Sequence, residues 1–194
     1  AATFPLLIKH SFPEINALQS AFLGPFVGAL IRPLGGWLAD KAGGASVTLW
    51  NFVLMIAAVF GVIHFLPQAG STGNFYGFLT MFMLLFVTTG IGNGSTFRMI
   101  PVIFRTLHEG LSAGKDAGAK ELAMKSAGKE SAAVLGFTSA IGAFGAFFIP
   151  KSFGSSIALT GGPEVALYVF VGYYLSCILV TWWWYARKGA ETPC

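Results

Sequence analysis

The chain has 194 residues, of which 55% are hydrophobic and 10% are charged, and its formal net charge is +4. Soluble domains carry roughly 25% charged residues, so this composition excludes an ordinary soluble globular protein and indicates an integral membrane protein. Its apolar segments run for about 20 residues, which is the length of a membrane-spanning helix and not of a barrel strand. We therefore predict an all-α integral membrane protein.

Several functional classes have no support in the sequence. The basic residues are scattered and do not form a stripe with interleaved aromatic side chains, so no nucleic-acid partner is predicted. The two cysteines, Cys177 and Cys194, fit neither a disulfide framework nor a metal site. No nucleophile–base pair, metal-ligand spacing or nucleotide-binding loop is present. We predict no catalytic residue, no metal and no cofactor, and hence no enzyme.

The chain starts without methionine in an apolar run. We interpret residues 1–10 as the end of a truncated helix, too short to span a bilayer alone, in a fragment of a longer protein. Five further membrane helices are predicted, at 15–39, 47–66, 75–104, 130–148 and 164–185. Within the first of these five, Gly24-Pro25 is predicted to bend the helix.

The predicted helices are separated by polar segments. We expect a tight loop over 40–46, a turn over 67–74, a long polar loop over 105–129 and another loop over 150–163. Glu121, Lys125 and Lys129 are spaced four residues apart, which indicates that part of the long loop is a surface helix.

Loop charge predicts the orientation in the membrane, because basic residues concentrate on the cytoplasmic side. One set of alternate loops holds eight basic residues, and the opposite set holds only Lys9 and Lys151. We expect the first set and the C-terminus to be cytoplasmic, in a cell inner membrane, with an interfacial anchor at 182–185. The eight residues are Lys41, Arg105, Lys115, Lys120, Lys125, Lys129, Arg187 and Lys188.

Arg32 is the most informative charged residue. It lies 16 residues after Asn16 and eight before Asp40, too deep in its helix for the side chain to reach the interface. A cation at this depth needs a partner, yet no acidic side chain is predicted at its level. The partner could be an anion from solution, which we favour, or an acid in an absent part of the protein, and a structural role is the third alternative. The planar guanidinium fork suits a planar oxyanion.

A glycine-rich string, Gly90–Phe104, follows an apolar run in the predicted fourth full helix. Its three glycines allow close approach of another backbone or of a small ligand, and the simpler interpretation is a helix-packing surface. Gly90 falls near the middle of the bilayer, so the string and Arg32 share the level at which transporters hold substrate. The predicted substrate-binding residues are Arg32, Gly90, Gly92, Asn93, Gly94 and Ser95. Arg98, nearer the loop, is expected to reach the interface or pair with Asp40.

The string Gly90–Phe104 resembles the second nitrate signature of the nitrate/nitrite porter family, a branch of the major facilitator superfamily. Other segments are similar to the C-terminal half of such a porter. The resemblance implies a six-helix half of a twelve-helix fold, with its first helix truncated, spanning residues 1–194 and working by alternating access. The other segments are Phe12-Pro13, Phe22–Gly28, Arg32 with Gly35-Gly36, Leu135–Pro150, Phe153-Gly154 and Leu159–Gly161.

The same resemblance implies the substrates and the partners. Nitrate and nitrite would bind between Arg32 and a second arginine from a missing N-terminal six-helix half, within the lipid bilayer. Asp40 and Gly36 match the superfamily's cytoplasmic motif, which acts as a conformational latch. The basic residues usual after that motif are replaced here by Gly44 and Ala45, which weakens the predicted latch.

The predicted function is transport of nitrate, nitrite or both by exchange, because no carboxylate is predicted at the depth of Arg32 to carry a proton. Three alternatives stay open at this point. The first is a proton-coupled nitrate symporter, and the second is a facilitator for another small anion. The third is a non-transporting membrane scaffold or sensor, in which Arg32 would be dispensable.

Overall fold

The computed structural model describes residues 3–67 and 72–187, and these ranges contain helices and short connections with no β-strand. The all-α prediction is confirmed. Lys188, Cys194 and part of the predicted turn over 67–74 lie outside the described residues. The helices are α1 (Thr3–Ser11), α2 (Ala17–Ser20), α3 (Leu23–Ala42), α4 (Gly44–Phe65), α5 (Phe75–Leu111), α6 (Ala117–Thr160) and α7 (Glu164–Thr181), which continues into a π-helical turn (Trp182–Ala186).

Four helices in the described part are long and apolar enough to cross a membrane: α4, α5, α6, and α7 together with its π-helical turn. Helix α3 is 20 residues long, which is also the length of a membrane span, but its middle carries Arg32. At 37 and 44 residues, α5 and α6 exceed the roughly 20 residues that a bilayer requires. Their polar ends therefore extend beyond the apolar layer.

The predicted polar loop over 105–129 is wrong, because the segment is helical except for the short connection 112–116. Ion pairs one turn apart support these helix ends: Arg105 Nε donates to Glu109 Oε1 at 2.8 Å, and Lys125 Nζ lies 2.8 Å from Glu121 Oε1. The predicted surface helix is thus confirmed. Polar composition here marks where α5 and α6 leave the apolar layer, and not where they end.

Three other boundaries differ from prediction. Helix α6 runs through Pro150 to Thr160, so the loop predicted over 150–163 shrinks to 161–163; membrane helices tolerate proline because neighbouring groups satisfy the freed carbonyl. The helix predicted over 15–39 is interrupted at 21–22, between α2 and α3. Gly24-Pro25 lies in the first turn of α3, where proline lacks no needed N–H. The loop predicted over 40–46 reduces to Gly43, whose φ of +82° suits glycine.

A hydrophobic core lies at one end of the molecule and holds α1 in place. Phe4, Leu7 and Ile8 of α1 are fully buried against α4, α5, α6 and α7. The ring of Phe4 stacks on Phe82 of α5 with their centroids 4.9 Å apart. This core packs the C-terminal end of α4 against the N-terminal end of α5. It therefore fixes the position of these two helices relative to each other at the end of the molecule away from Asp40.

Candidate functional site

Helices α3 and α5 run parallel and meet through glycines. A Cβ added to Gly90 would lie 2.5 Å from the carbonyl oxygen of Gly28, and one added to Gly94 would collide with the carbonyl oxygen of Arg32. A Cβ on Gly35 would likewise collide with the backbone of Ile91. Because these contacts are between backbones, no side chain can move aside to relieve them. The glycines therefore let α3 approach α5 closely and set the backbone position of Arg32.

Helices α4 and α5 are antiparallel and meet through small polar groups. The hydroxyls of Thr48 and Ser95 are 2.9 Å apart, and Ser95 Oγ also donates to the carbonyl oxygen of Gly92 at 3.1 Å. One turn further along, the Asn51 amide lies over Gly92, where an added Cβ would be 2.6 Å from Nδ2. We call this contact, made by Thr48, Asn51, Gly92 and Ser95, the polar seam.

An open cavity of about 550 Å³ lies beside the polar seam and brings four helices to one level. Arg32 is the one charged residue among the described residues that line it. The other lining residues are hydroxyl- and amide-bearing side chains, two glycines and the apolar side chains of Phe52, Met55 and Phe97, so Arg32 supplies the charge in a wall of mixed polarity. Its polar side chains include Arg32 from α3, Asn51 from α4, Asn93 and Thr96 from α5, and Thr138 and Ser139 from α6.

The charge of Arg32 is not neutralised within the described ranges, where its guanidinium forms no hydrogen bond and no ion pair. The acid nearest along α3, Asp40, is eight residues away, or about 12 Å along the axis, and is paired with Arg98 instead. Arg32 lies midway along α3, about 15 Å from either end. The site therefore combines an unpaired cation with a polar cavity at the middle of a membrane-length helix.

Asp40 and Arg98 join α3 to α5 near the end of α3. Arg98 Nε donates to Asp40 Oδ1 at 2.6 Å, so the predicted pairing of Arg98 is confirmed. Their side chains are 56% exposed for Arg98 and 47% for Asp40, and such pairs contribute about 0–1 kcal/mol to stability. Gly36, the other residue of the predicted latch, faces Gly94. A Cβ added to Gly36 would lie 3.9 Å from the carbonyl oxygen of Gly94, which is an ordinary contact distance.

The structure separates the six predicted substrate residues into two groups. Arg32, Gly92 and Asn93 line the cavity together. Gly90 and Gly94 lie against the backbone of α3, and Ser95 is fully buried in the polar seam. The binding role of all six residues stays a prediction, and the three in the second group contact neighbouring helices.

Sequence reasoning missed the contribution of α4 and α6 to the cavity. Asn51 and Thr48 are polar residues three apart in a mostly apolar α4, a pattern that indicates one polar helix face. Thr138 and Ser139 carry no comparable signal, because hydroxyls in a membrane helix commonly bond to their own backbone. Here they donate to the carbonyls of Val134 and Leu135.

Comparison with known proteins identifies relatives along almost the whole chain, although no family model matches. The chain is 51% identical over 191 residues to the nitrate/nitrite transporter NarU of Salmonella typhimurium and 49% identical over 191 residues to NarU of Escherichia coli, which in each case covers 97% of this chain. It is 31% identical over 199 residues to the probable nitrate/nitrite antiporter NarK2 of Thermus thermophilus, covering all of this chain. It spans 40% of the length of each of these relatives. Over nearly its whole length, the chain thus matches part of a NarK-type nitrate/nitrite porter, and it belongs to a multi-pass membrane protein.

Proposed function

We propose that the complete protein containing this chain transports nitrate and nitrite across the cytoplasmic membrane by alternating access, exchanging one anion for the other. The observation that carries this proposal is the unpaired Arg32 on a polar cavity midway along α3. The names of the relatives, nitrate/nitrite transporter and nitrate/nitrite antiporter, support the choice of substrate and of exchange. They are transporters and not enzymes, and the proposed mechanism involves no covalent step.

The chemistry of Arg32 favours a small planar anion. A guanidinium presents paired N–H donors in one plane, which match two oxygens of nitrate or nitrite. Asn93 and the backbone at Gly92 lie on the same cavity and supply further polar contacts. Gly90, Gly94 and Ser95 act indirectly in this proposal, since they hold α3 and α4 in position against α5.

The same cation gives a physical reason for exchange. An unpaired charge within a membrane is costly, and a bound anion offsets that cost. The protein therefore changes conformation more readily with an anion on Arg32 than with the site empty, in both directions. A carrier that returns only when loaded is an exchanger.

We further propose that the anion lies between Arg32 and a second arginine in an N-terminal six-helix half. Alternating access then consists of rocking of the two halves about this site. In this proposal the polar helix ends over 105–129 and the C-terminus are cytoplasmic, because basic residues favour that side. The Asp40–Arg98 pair lies toward the same side and acts as the conformational latch.

The test uses the complete protein in lipid vesicles, loaded with nitrite or left empty, with and without a proton gradient. We expect nitrate uptake to require internal nitrite and to be insensitive to the gradient. Gradient-driven uptake of nitrate into empty vesicles would instead establish a symporter. Uptake of another small anion that nitrate inhibits only weakly would establish a facilitator for that anion. Absence of uptake under every condition would favour the scaffold or sensor.

Arg32→Lys tests the site itself. It keeps the charge and loses the planar fork, so we expect the KM for nitrate to rise at least tenfold. Arg105→Lys is the matched control, because Arg105 is exposed and pairs only with Glu109 along its own helix. Unchanged transport by Arg32→Lys and Arg32→Ala would remove Arg32 from the site.

A further inference from the structure

Asn51 is a buried amide that makes no strong hydrogen bond within the described residues. It is 4% exposed, its Oδ1 has no hydrogen-bond partner in the described part of the chain, and its Nδ2 donates there to the sulfur of Met55 at 3.7 Å. Buried polar groups in proteins are nearly always paired, and each exception calls for an explanation. An amide in this state does not stabilise the fold as well as an apolar side chain of its size would.

The position of Asn51 gives its Nδ2 donor a possible use, whereas the unpaired Oδ1 is an acceptor with which an anion cannot pair. It lines the same cavity as Arg32, and its amide lies over Gly92 of the glycine-rich string. An alanine at position 92 would bring its Cβ to 2.6 Å from Asn51 Nδ2, well inside ordinary contact distance. Gly92 therefore leaves the space that the amide occupies. The neighbouring Thr48–Ser95 hydrogen bond holds this part of α4 against α5.

We propose that Asn51 is an anion ligand that acts together with Arg32, and that Gly92 is glycine so that this amide fits at the cavity wall. The inference rests on the proposed nitrate/nitrite exchange and adds a residue of α4 to its site. The NH2 group carries two N–H donors, and its single weak contact with sulfur leaves a donor for an anion oxygen. The Asn51 amide is a neutral donor on the same cavity as the Arg32 guanidinium. It would add affinity for an anion and select for the anion's shape without adding a second positive charge, which suits a monovalent anion.

Asn51→Leu in the complete protein separates a binding role from a structural one. Leucine keeps the branching of asparagine at Cγ and removes the unpaired amide. It is larger, and the cavity beside position 51 provides room for the added volume, so we expect the protein to melt close to the wild-type temperature. The KM for nitrate should rise at least tenfold, and the nitrate-to-nitrite preference should change. Thr88→Val is the control, because Thr88 is equally buried in α5 and bonds only to the carbonyls of Leu84 and Leu85. It should leave the KM unchanged.

Gly92→Ala tests the second part of the proposal. We expect this variant alone to raise the KM about as much as Asn51→Ala does, because the added methyl displaces the amide. In the double variant the clash is gone, so its KM should equal that of Asn51→Ala alone. Independent, multiplicative effects of the two substitutions would overturn the proposed relation between Gly92 and Asn51.

The outcomes distinguish this inference from the proposed function. If the wild-type protein exchanges nitrate for nitrite and Arg32→Lys impairs exchange, while Asn51→Leu keeps the wild-type KM and preference, the inference is refuted and the function stands. A lowered melting temperature with an unchanged KM would make Asn51 structural and would also refute it. If the wild-type protein moves neither anion, the proposed function fails and the inference fails with it.

Discussion

Replacing Gly94 by alanine should impair the protein, because the added methyl group would meet the backbone of α3 at Arg32. The new Cβ would be 3.0 Å from the backbone nitrogen of Gly36 and 3.1 Å from the carbonyl carbon of Arg32, and it would collide with the carbonyl oxygen of Arg32. Non-bonded heavy atoms prefer about 3.5–4.0 Å. The collision with the carbonyl oxygen is the shortest of these contacts, so the two helices must separate by roughly 1–2 Å, since backbone atoms cannot turn aside.

This separation has two measurable consequences. Overpacking of this kind costs about 1–3 kcal/mol, and the better helix propensity of alanine offsets at most about 1 kcal/mol of it. We therefore expect a net loss of up to about 3 kcal/mol, seen as a lower melting temperature in detergent. The second consequence is displacement of Arg32. A shift of about 1 Å in a positioned group costs enzymes as much as about 10²-fold in rate, so we expect nitrate exchange to fall at least tenfold.

Two further alanine variants serve as controls. Gly110 lies on the same helix with no atom within 4 Å of an added Cβ, so Gly110→Ala should preserve both exchange and stability. Gly36 faces Gly94 across the same contact, but its Cβ would be 3.9 Å from the nearest atom, so Gly36→Ala should preserve stability. Wild-type exchange and melting temperature in Gly94→Ala would refute the argument, and so would equal destabilisation by Gly36→Ala.

Two other predictions concern the contacts that flank the cavity. Asp40→Asn should change the melting temperature little, because an exposed ion pair is worth about 0–1 kcal/mol. The same variant should slow exchange several-fold. The double variant Asp40→Arg with Arg98→Asp, which reverses the pair, should restore the rate. Wild-type exchange in Asp40→Asn would exclude a latch. Ser95→Ala should cost about 1 kcal/mol of stability by removing the hydrogen bond to Thr48 and should leave the KM for nitrate unchanged. A raised KM with intact stability would make Ser95 a substrate ligand.

The polar stretch 105–129 shows where reasoning from sequence stops. Its charges reveal that the chain has left the apolar layer, but a helix continues into water as readily as a loop does when its charges pair one turn apart. Arg105–Glu109 and Lys125–Glu121 are such pairs, and His108 of α5 further contacts Glu130 of α6 at 3.0 Å. Whether two helix ends pack against each other depends on contacts between segments distant in sequence.

Composition and local spacing alone indicated an all-α membrane protein and predicted an arginine at mid-membrane depth, because the cost of burying charge and the length of a bilayer span act on each segment separately. The roles of the glycines were decided by tertiary structure. Gly92 and Gly94 are two residues apart, yet one opens onto the cavity and the other packs on Arg32. That difference arises because residues two apart on a helix point in different directions, and only packing against α3 and α4 determines what each direction meets. The same packing places Asn51 of α4 on the same cavity as Arg32 of α3.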